Sequence, residues 1–591
     1  MAYSWQVMRQ RAVDGAFFRP CINKSSYHVH FGDMGSLPQT TQTFDVLIIG
    51  AGLSGLCSLY HIRKQFPDWR VKVIDAAPDV GGTWYWNSYP GCRFDSESLS
   101  YCYSFDKELL DEWHWKEAFS AQPDTHKYIA HFAEKHNLYK DIQSNTTIKE
   151  ASWSDQDKTW TFSDEAGNRY VTTFFISCMG FLSAPTLPAI EGIEDFQGKL
   201  FHTSRWPKDL DISRDFAGKR VGVIGTGATG IQIITELSKQ PNVASVNVFQ
   251  RTANWSAPLR NSPISLEEMN KLKKEYDAIF KICAESSSGF MHQADPRKSS
   301  EVTDEERLAH WEKLYNAPGF GKWLGVFSDT YTDRHANGLY SKFMADKIRQ
   351  RVNDPVVAES LIPKNHGFGT RRVPMESGYF EAFNKPNVHL VDLQKTPIDR
   401  VTPTGILTND GQEHKLDILI CATGFNAITG AFSAIEWHGK DNRPLIATSD
   451  SPKGDQAIWA DHRPSTFLGM TVHNMPNMFM VLGPHQPFGN ATRSIEFAVG
   501  VISKLLQYCK DNNYNYVEPT QESVDQWTDH VVECSKSQTL MNEIDSWMTG
   551  VNKNVKGKTV RNVARYSGSA IEFRRRCDEV RKLGYKGFVF A

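Results

Sequence analysis

The feature that most restricts how this chain can fold occurs twice. Phe44–Ile49 reads FDVLII, a short apolar run of the kind that forms a buried parallel strand. It leads directly into Gly50-Ala51-Gly52-Leu53-Ser54-Gly55 and then LCSLYHIRK, a helical stretch. A second run, Lys219–Ile224, leads into Gly225-Thr226-Gly227-Ala228-Thr229-Gly230 and a helix that begins at Ile231. Strand, GxGxxG and helix in this order predict a dinucleotide-binding unit, with the glycine-loop residues and, in the second unit, Ile231 expected among the cofactor contacts. The first glycine makes the tight turn, the second lets the backbone approach a pyrophosphate, and the third lets helix and strand pack closely. The pyrophosphate then meets the helix N-terminus, where unpaired N–H groups and the dipole favour an anion. The loops start 175 residues apart, so they belong to separate units.

The strand after each loop distinguishes the two sites. Val71-Lys72-Val73-Ile74 ends at Asp75, 20 residues past Gly55, the spacing of an acid that grips a ribose hydroxyl. After the second loop, Val246-Asn247-Val248-Phe249-Gln250 ends instead at Arg251 and Thr252. An acid there would repel a 2′-phosphate, whereas an arginine pairs with it in a fork geometry, so the second site is expected to select NADPH. Two such sites on one chain suggest a flavoprotein reduced by a nicotinamide.

Composition narrows the field by exclusion. Lys and Arg number 66 against 68 Asp and Glu, a net charge of -2 that disfavours nucleic-acid binding. The apolar runs fall short of the 18 or so residues needed to cross a bilayer. Ten cysteines are scattered without a CxxC, which disfavours a disulfide scaffold, a thiolate metal site and a dithiol reductase; no metal is expected. The composition suits a reducing, cytoplasmic setting. Residues 1–43 carry Arg9, Arg11, Arg19 and Lys24 with few acids. They read first as a flexible or lid-like extension, and second as a mitochondrial leader within 1–40.

Two longer patterns point to a family. Gly81-Gly82-Thr83-Trp84-Tyr85-Trp86-Asn87-Ser88-Tyr89-Pro90-Gly91-Cys92-Arg93-Phe94-Asp95 fits GGxWxxxxYPGxxxD. Between the glycine loops, Phe196, Gly198, His202, Trp206 and Pro207 occupy every fixed position of FxGxxxHxxxWP. Together they closely resemble the type I Baeyer–Villiger monooxygenases, over most of the chain from about residue 44.

The resemblance implies bound FAD and NADPH, with Thr83, Trp84, Tyr85, Trp86, Asp95, Ser96 and Tyr101 lining the flavin. Arg93, Phe94 and Asp95 would also approach the nicotinamide. Arg371 would join Arg251 and Thr252 at the 2′-phosphate, and Arg372, oriented by Asp95, would be the catalytic cation. His202 and Trp206 would couple domain motions, with His202 not a general base. Cys421-Ala422-Thr423-Gly424 resembles a family hinge; Cys178-Met179-Gly180 departs from the corresponding earlier one but keeps its glycine, so the turn is expected to survive. Ser546-Trp547, Gly550 and Asn552 resemble a mobile loop near 545–558 that folds over NADP. Asn490 falls in a substrate-facing stretch. The implied reaction inserts one oxygen of O₂ beside a ketone carbonyl through a C4a-peroxyflavin, giving an ester or lactone. A secondary-metabolite ketone is one candidate substrate. The alternatives are a flavin monooxygenase acting on N or S atoms and a non-catalytic flavin-binding protein.

The expected architecture is α/β, with two nested Rossmann-like dinucleotide-binding domains and a helical insertion. The FAD unit takes 44–184 and returns at 417–591. The NADP unit takes 185–258 and 364–416. Residues 259–363, rich in helix formers such as LEEMNKLKKEYDAIFK, form the insertion. Oligomeric state is left open.

Overall fold

The computed structural model describes residues 40–448, 454–537 and 539–591. Residues 1–39, most of the N-terminal extension, lie outside the described residues. The first strand, β1, spans Thr41–Ile49, so it starts just inside the segment expected to be extension; Thr41, Gln42 and Thr43 pair with Arg169, Tyr170 and Val171.

Two sheets carry the fold. The first contains β1, β2 (Val71–Ile74), β3 (Ile142–Gln143), β4 (Ile148–Ser154), β5 (Thr159–Asp164) and β6 (Arg169–Ser177). Here β1 lies between β2 and β6, parallel to both. FDVLII is apolar on both faces because both faces are covered. Val46 and Ile48 join the core that holds Leu56, Leu59 and Ile62 of helix α1 (Leu53–Gln65), while Leu47 and Ile49 pack with Phe162, Phe175 and Trp437 on the other side.

The second sheet is wholly parallel. It contains β7 (Lys199–His202), β8 (Arg220–Ile224), β9 (Ser245–Gln250), β10 (Val388–Asp392) and β11 (Ile418–Cys421), in the order β10-β9-β8-β11-β7. β11 corrects the domain boundary expected at residue 417. Its run ILIC lies between β8 and β7, so the chain leaves the second unit only after Cys421. A short apolar run announces a buried strand but not the sheet that will accept it. The chain then returns to the first sheet through β12 (Glu436–His438) beside β4 and β13 (Met478–Met480) beside β6.

The glycine loops are alike to within a degree at their first residue: φ is +107° at Gly50 and +106° at Gly225. A Cβ on Gly55 would lie 1.8 Å from the Gly50 carbonyl oxygen, and one on Gly230 would lie 2.1 Å from that of Gly225. The two crossings between the units are also alike. Gly180 and Gly424 have φ of +76° and +77°, so the Cys178-Met179-Gly180 departure preserves the turn. The crossings bond to each other: Thr186 N donates to Gly424 O at 2.9 Å and Asn426 N to Ala184 O at 2.8 Å.

The insertion is helical, with Leu266–Leu272, Tyr276–Glu285, Asp304–Asn316, α2 (Arg334–Arg349) and Pro355–Leu361. Thr303 and Glu306 form a capping box at the start of Asp304–Asn316. Among the described residues no helix is long and apolar enough to cross a membrane.

Gly230→Ala forces its Cβ onto a backbone carbonyl and should cost about 1–3 kcal/mol, the usual range for overpacking. A Cβ on Gly227 meets nothing within 4 Å, so Gly227→Ala should leave the melting temperature close to that of the parent. Thermal denaturation of the two variants side by side checks the contrast.

Candidate active site

The first long motif builds a frame of aromatic side chains that ends in a buried acid. Thr83–Trp86 forms a single helical turn. Trp84 Nε1 donates to the Tyr101 hydroxyl at 3.1 Å, and Phe94 stacks on Tyr101 at 4.3 Å. Between Phe94 and the buried Ser96, Asp95 is only 2% exposed. Its Oδ2 takes the Arg372 guanidinium at 2.7 Å and the Met375 N–H at 3.1 Å. Asp95 Oδ1 and Arg372 Nη1 are both buried with no protein partner. A buried ion pair with a donor and an acceptor left over is costly unless a third group completes it.

The insertion holds the arginine in place. Asn337 of α2 donates to Thr330 O at 3.0 Å and Phe368 O at 2.9 Å. One helical turn on, Ser341 Oγ accepts the Phe368 N–H at 2.8 Å. Together they dock the segment Phe368–Arg372. Asn337 was not anticipated from the sequence. Its signal is a polar residue among the buried positions Ala336, Tyr340, Phe343 and Met344 of α2.

Both glycine loops end in helix N-termini open to an anion. α1 and α3 (Ala228–Ser238) start at Gly52 and Gly227, with no side-chain cap and no acid in the first turn. Asp75 lies against its own loop, accepting Ala51 N–H at 2.5 Å and Ala77 N–H at 2.6 Å, and burial raises its pKa. Thr226 Oγ1 donates to Thr252 O at 3.0 Å, which ties the second loop to the end of β9. There Arg371 is half-buried beside Arg251; burial first, and then that second positive charge, lower its pKa. Two neighbouring guanidiniums favour an anion between them. Ile231, expected among the cofactor contacts, has no group free for one. Its side chain is 1% exposed in the core and its N–H donates to Gly227 O within the helix.

Residues of the two units clasp one another. Gln232 of α3 accepts the Tyr89 hydroxyl at 2.6 Å and donates to Arg93 O at 3.1 Å. The Arg93 guanidinium is held by Glu117 Oε2 and Phe119 O, each at 3.3 Å. From the second motif Arg205 lies over the Trp86 ring at 4.2 Å, and Lys208, just after it, lies over Tyr85 at 4.4 Å. Trp206 is buried between Phe201 and Phe216. The Phe196 ring lies so close to Gly198 that a Cβ there would be 2.6 Å away. Pro207 O accepts the Leu210 N–H at 3.2 Å. His202 takes the Ser204 N–H on Nδ1 at 3.1 Å and sets its ring edge-on to Phe425 of the second crossing. Burial, helped by Arg205, lowers its pKa to about 4, so the ring is neutral at physiological pH.

The segment carrying Trp547 lies on the crossings. Trp547 packs in a cluster with Phe181, Leu182, Ala427, Ile428, Phe488 and Ala564. Asn552 Nδ2 donates to Phe425 O at 3.0 Å. Asn490 is a structural cap: it is 1% exposed, starts helix α4 (Ala491–Asp511), and donates to Ser100 O at 3.1 Å.

The sequence profile of flavin-binding monooxygenase-like proteins matches residues 44–261. The chain is 41% identical over 554 residues to 2-oxo-Delta(3)-4,5,5-trimethylcyclopentenylacetyl-CoA monooxygenase of Pseudomonas putida, covering 93% of this chain and 98% of that one. It is 34% identical over 550 residues to a Baeyer–Villiger monooxygenase of Pseudooceanicola batsensis, covering 92% and 96%. Its structure superposes on the crystal structure of OTEMO complexed with FAD and NADP with a TM-score of 0.86, at 40% identity, covering 93% and 99%. The chain belongs to the flavin-binding monooxygenases and, among them, to the Baeyer–Villiger enzymes.

Proposed function

We propose that this protein is an FAD- and NADPH-dependent Baeyer–Villiger monooxygenase that inserts one oxygen atom from O₂ next to a ketone carbonyl, giving an ester or lactone. The observation that carries this reading is the Asp95–Arg372 pair, in which the carboxylate holds one guanidinium nitrogen and Nη1 is left with no protein partner. The residues present fit both cofactors. The open N-terminus of α1, Asp75 and the frame of Trp84, Phe94 and Tyr101 would hold FAD. The N-terminus of α3, with Arg251 and Arg371, would hold NADPH through its pyrophosphate and 2′-phosphate. Reduced FAD supplies the activation of O₂, which no side chain here provides.

The chain's own residues supply position and charge. Nη1 of Arg372 has no protein partner and is the donor for a carbonyl oxygen that gains negative charge under attack. Asp95 fixes the guanidinium through its other nitrogen. His202 is a brace: neutral and tied to Ser204, it joins β7 to the second crossing. Trp547 and its neighbours cover the crossings and keep water out. Oxidation of N or S atoms needs no cation beside a carbonyl, and a purely flavin-binding protein needs no Arg372, so both alternatives are disfavoured. Nine described cysteines are free thiols, which suits a reducing, cytoplasmic setting.

Three outcomes are expected. Arg372→Ala should still allow NADPH to bleach the bound flavin while ester formation falls about 100- to 1000-fold, the cost of removing one preorganised donor; stopped-flow absorbance and product analysis separate the two. Arg251→Ala should raise KM for NADPH by about tenfold or more, as expected for loss of a charge-assisted contact of about 1.5–3 kcal/mol, and change KM for NADH far less. Asn337→Leu should keep FAD bound but lower the ester formed per NADPH consumed, with hydrogen peroxide rising in proportion; an unchanged yield would leave Asn337 with no role beyond packing.

A further inference from the structure

One half-buried cation is used by neither cofactor site. Arg565 lies in Val563–Tyr566, a segment laid against the chain that follows β13. His485 N donates to Ala564 O at 3.1 Å, Tyr566 N donates to Gln486 O at 3.2 Å, and His485 Nε2 bonds to Val563 O at 3.0 Å. β13 runs parallel to β6, with Met480 opposite Ser177, so His485 and Gln486 sit beyond the carboxyl ends of the first sheet. Ligands of open α/β sheets bind at that edge. Next to Arg565, Ala564 belongs to the apolar cluster with Trp547, Phe181 and Phe488.

The guanidinium itself is poorly matched by protein. Among the described residues its one hydrogen-bond acceptor is the Met541 thioether at 3.8 Å, a weak one. Burial lowers its pKa to about 10, and no acid among the described residues counters that. Two residues beyond Met541, Glu543 pairs with Arg334 of the insertion at 2.6 Å, and Asp545 lies close enough to Arg371 to offset part of the lowering of its pKa. Arg565 is therefore flanked by the crevice edge on one side and, on the other, by the segment that links the insertion to the NADP-side arginines. A half-buried guanidinium at the crevice edge, with a thioether as its one protein acceptor among the described residues, has donors left over and points to an anion that arrives with a ligand. The anionic groups of the two cofactors already have places: the pyrophosphates at Gly52 and Gly227, the 2′-phosphate at Arg251 and Arg371.

We propose that Arg565 receives a carboxylate carried by the ketone substrate, so that this enzyme prefers keto acids to neutral ketones. The inference rests on the monooxygenase reading above. It is tested with 4-oxocyclohexanecarboxylate and its methyl ester. The wild-type enzyme should show kcat/KM at least about tenfold higher for the acid, and Arg565→Gln should bring the ratio near one, in line with the discrimination of a site built around one charged contact. Arg565→Lys should retain part of the preference. A ratio that Arg565→Gln leaves unchanged, or a loss explained wholly by weaker NADPH binding, would overturn the assignment. Titrating the flavin absorbance with cyclohexanecarboxylate and with cyclohexanecarboxamide reads the same contact without turnover. Saturation by the carboxylate alone, lost in Arg565→Gln, supports the assignment; equal responses overturn it. Oxygen insertion into the neutral methyl ester reports separately on the monooxygenase reading.

Discussion

The bond between Asp95 and Arg372 joins three parts of the chain that are far apart in sequence. Asp95 ends the first aromatic motif, Arg372 follows the insertion, and Asn337 reaches out of the insertion to hold the segment on which Arg372 stands. A guanidinium can stabilise charge at a chosen point only if its direction is set before the charge develops. Here the direction is set twice, by a carboxylate at one nitrogen and by a docked backbone below. The insertion thus docks the segment that carries Arg372 as well as forming a covering layer.

The same logic explains why both units are clasped so closely around the crossings. Gln232, Arg205 and Lys208 from the second unit all grip the first aromatic motif. The crossings bond to one another, His202 lies against one of them, and Trp547 packs on both.

Much of this was legible in the chain. The glycine loops, their strands and Asp75 follow from spacing and backbone sterics, because a turn at φ near +107° and a helix pressed on a carbonyl demand glycine locally. Arg372 and Asp95 were named only through family likeness; nothing in composition or periodicity pairs an acid at position 95 with a base at 372. Ile231 was expected among the cofactor contacts and Asn490 falls in a stretch expected to face substrate, yet the first side chain is core and the second caps a helix, since a motif position does not say which way a side chain turns. Asn337 and Gln232 passed unnoticed because a polar residue in a helix is ordinarily solvated.

What the sequence determined by itself was local: two dinucleotide turns, the strands and helices that flank them, and the type of anion each loop suits. Those features depend on neighbours within a few residues, where dihedral limits and charge act directly. Tertiary structure alone decided that β11 belongs to the second sheet, that the insertion docks the arginine segment, and that Arg565 has no acid beside it among the described residues. These outcomes depend on which distant surfaces meet, and burial and pairing are properties of the assembled molecule that no short stretch of chain contains.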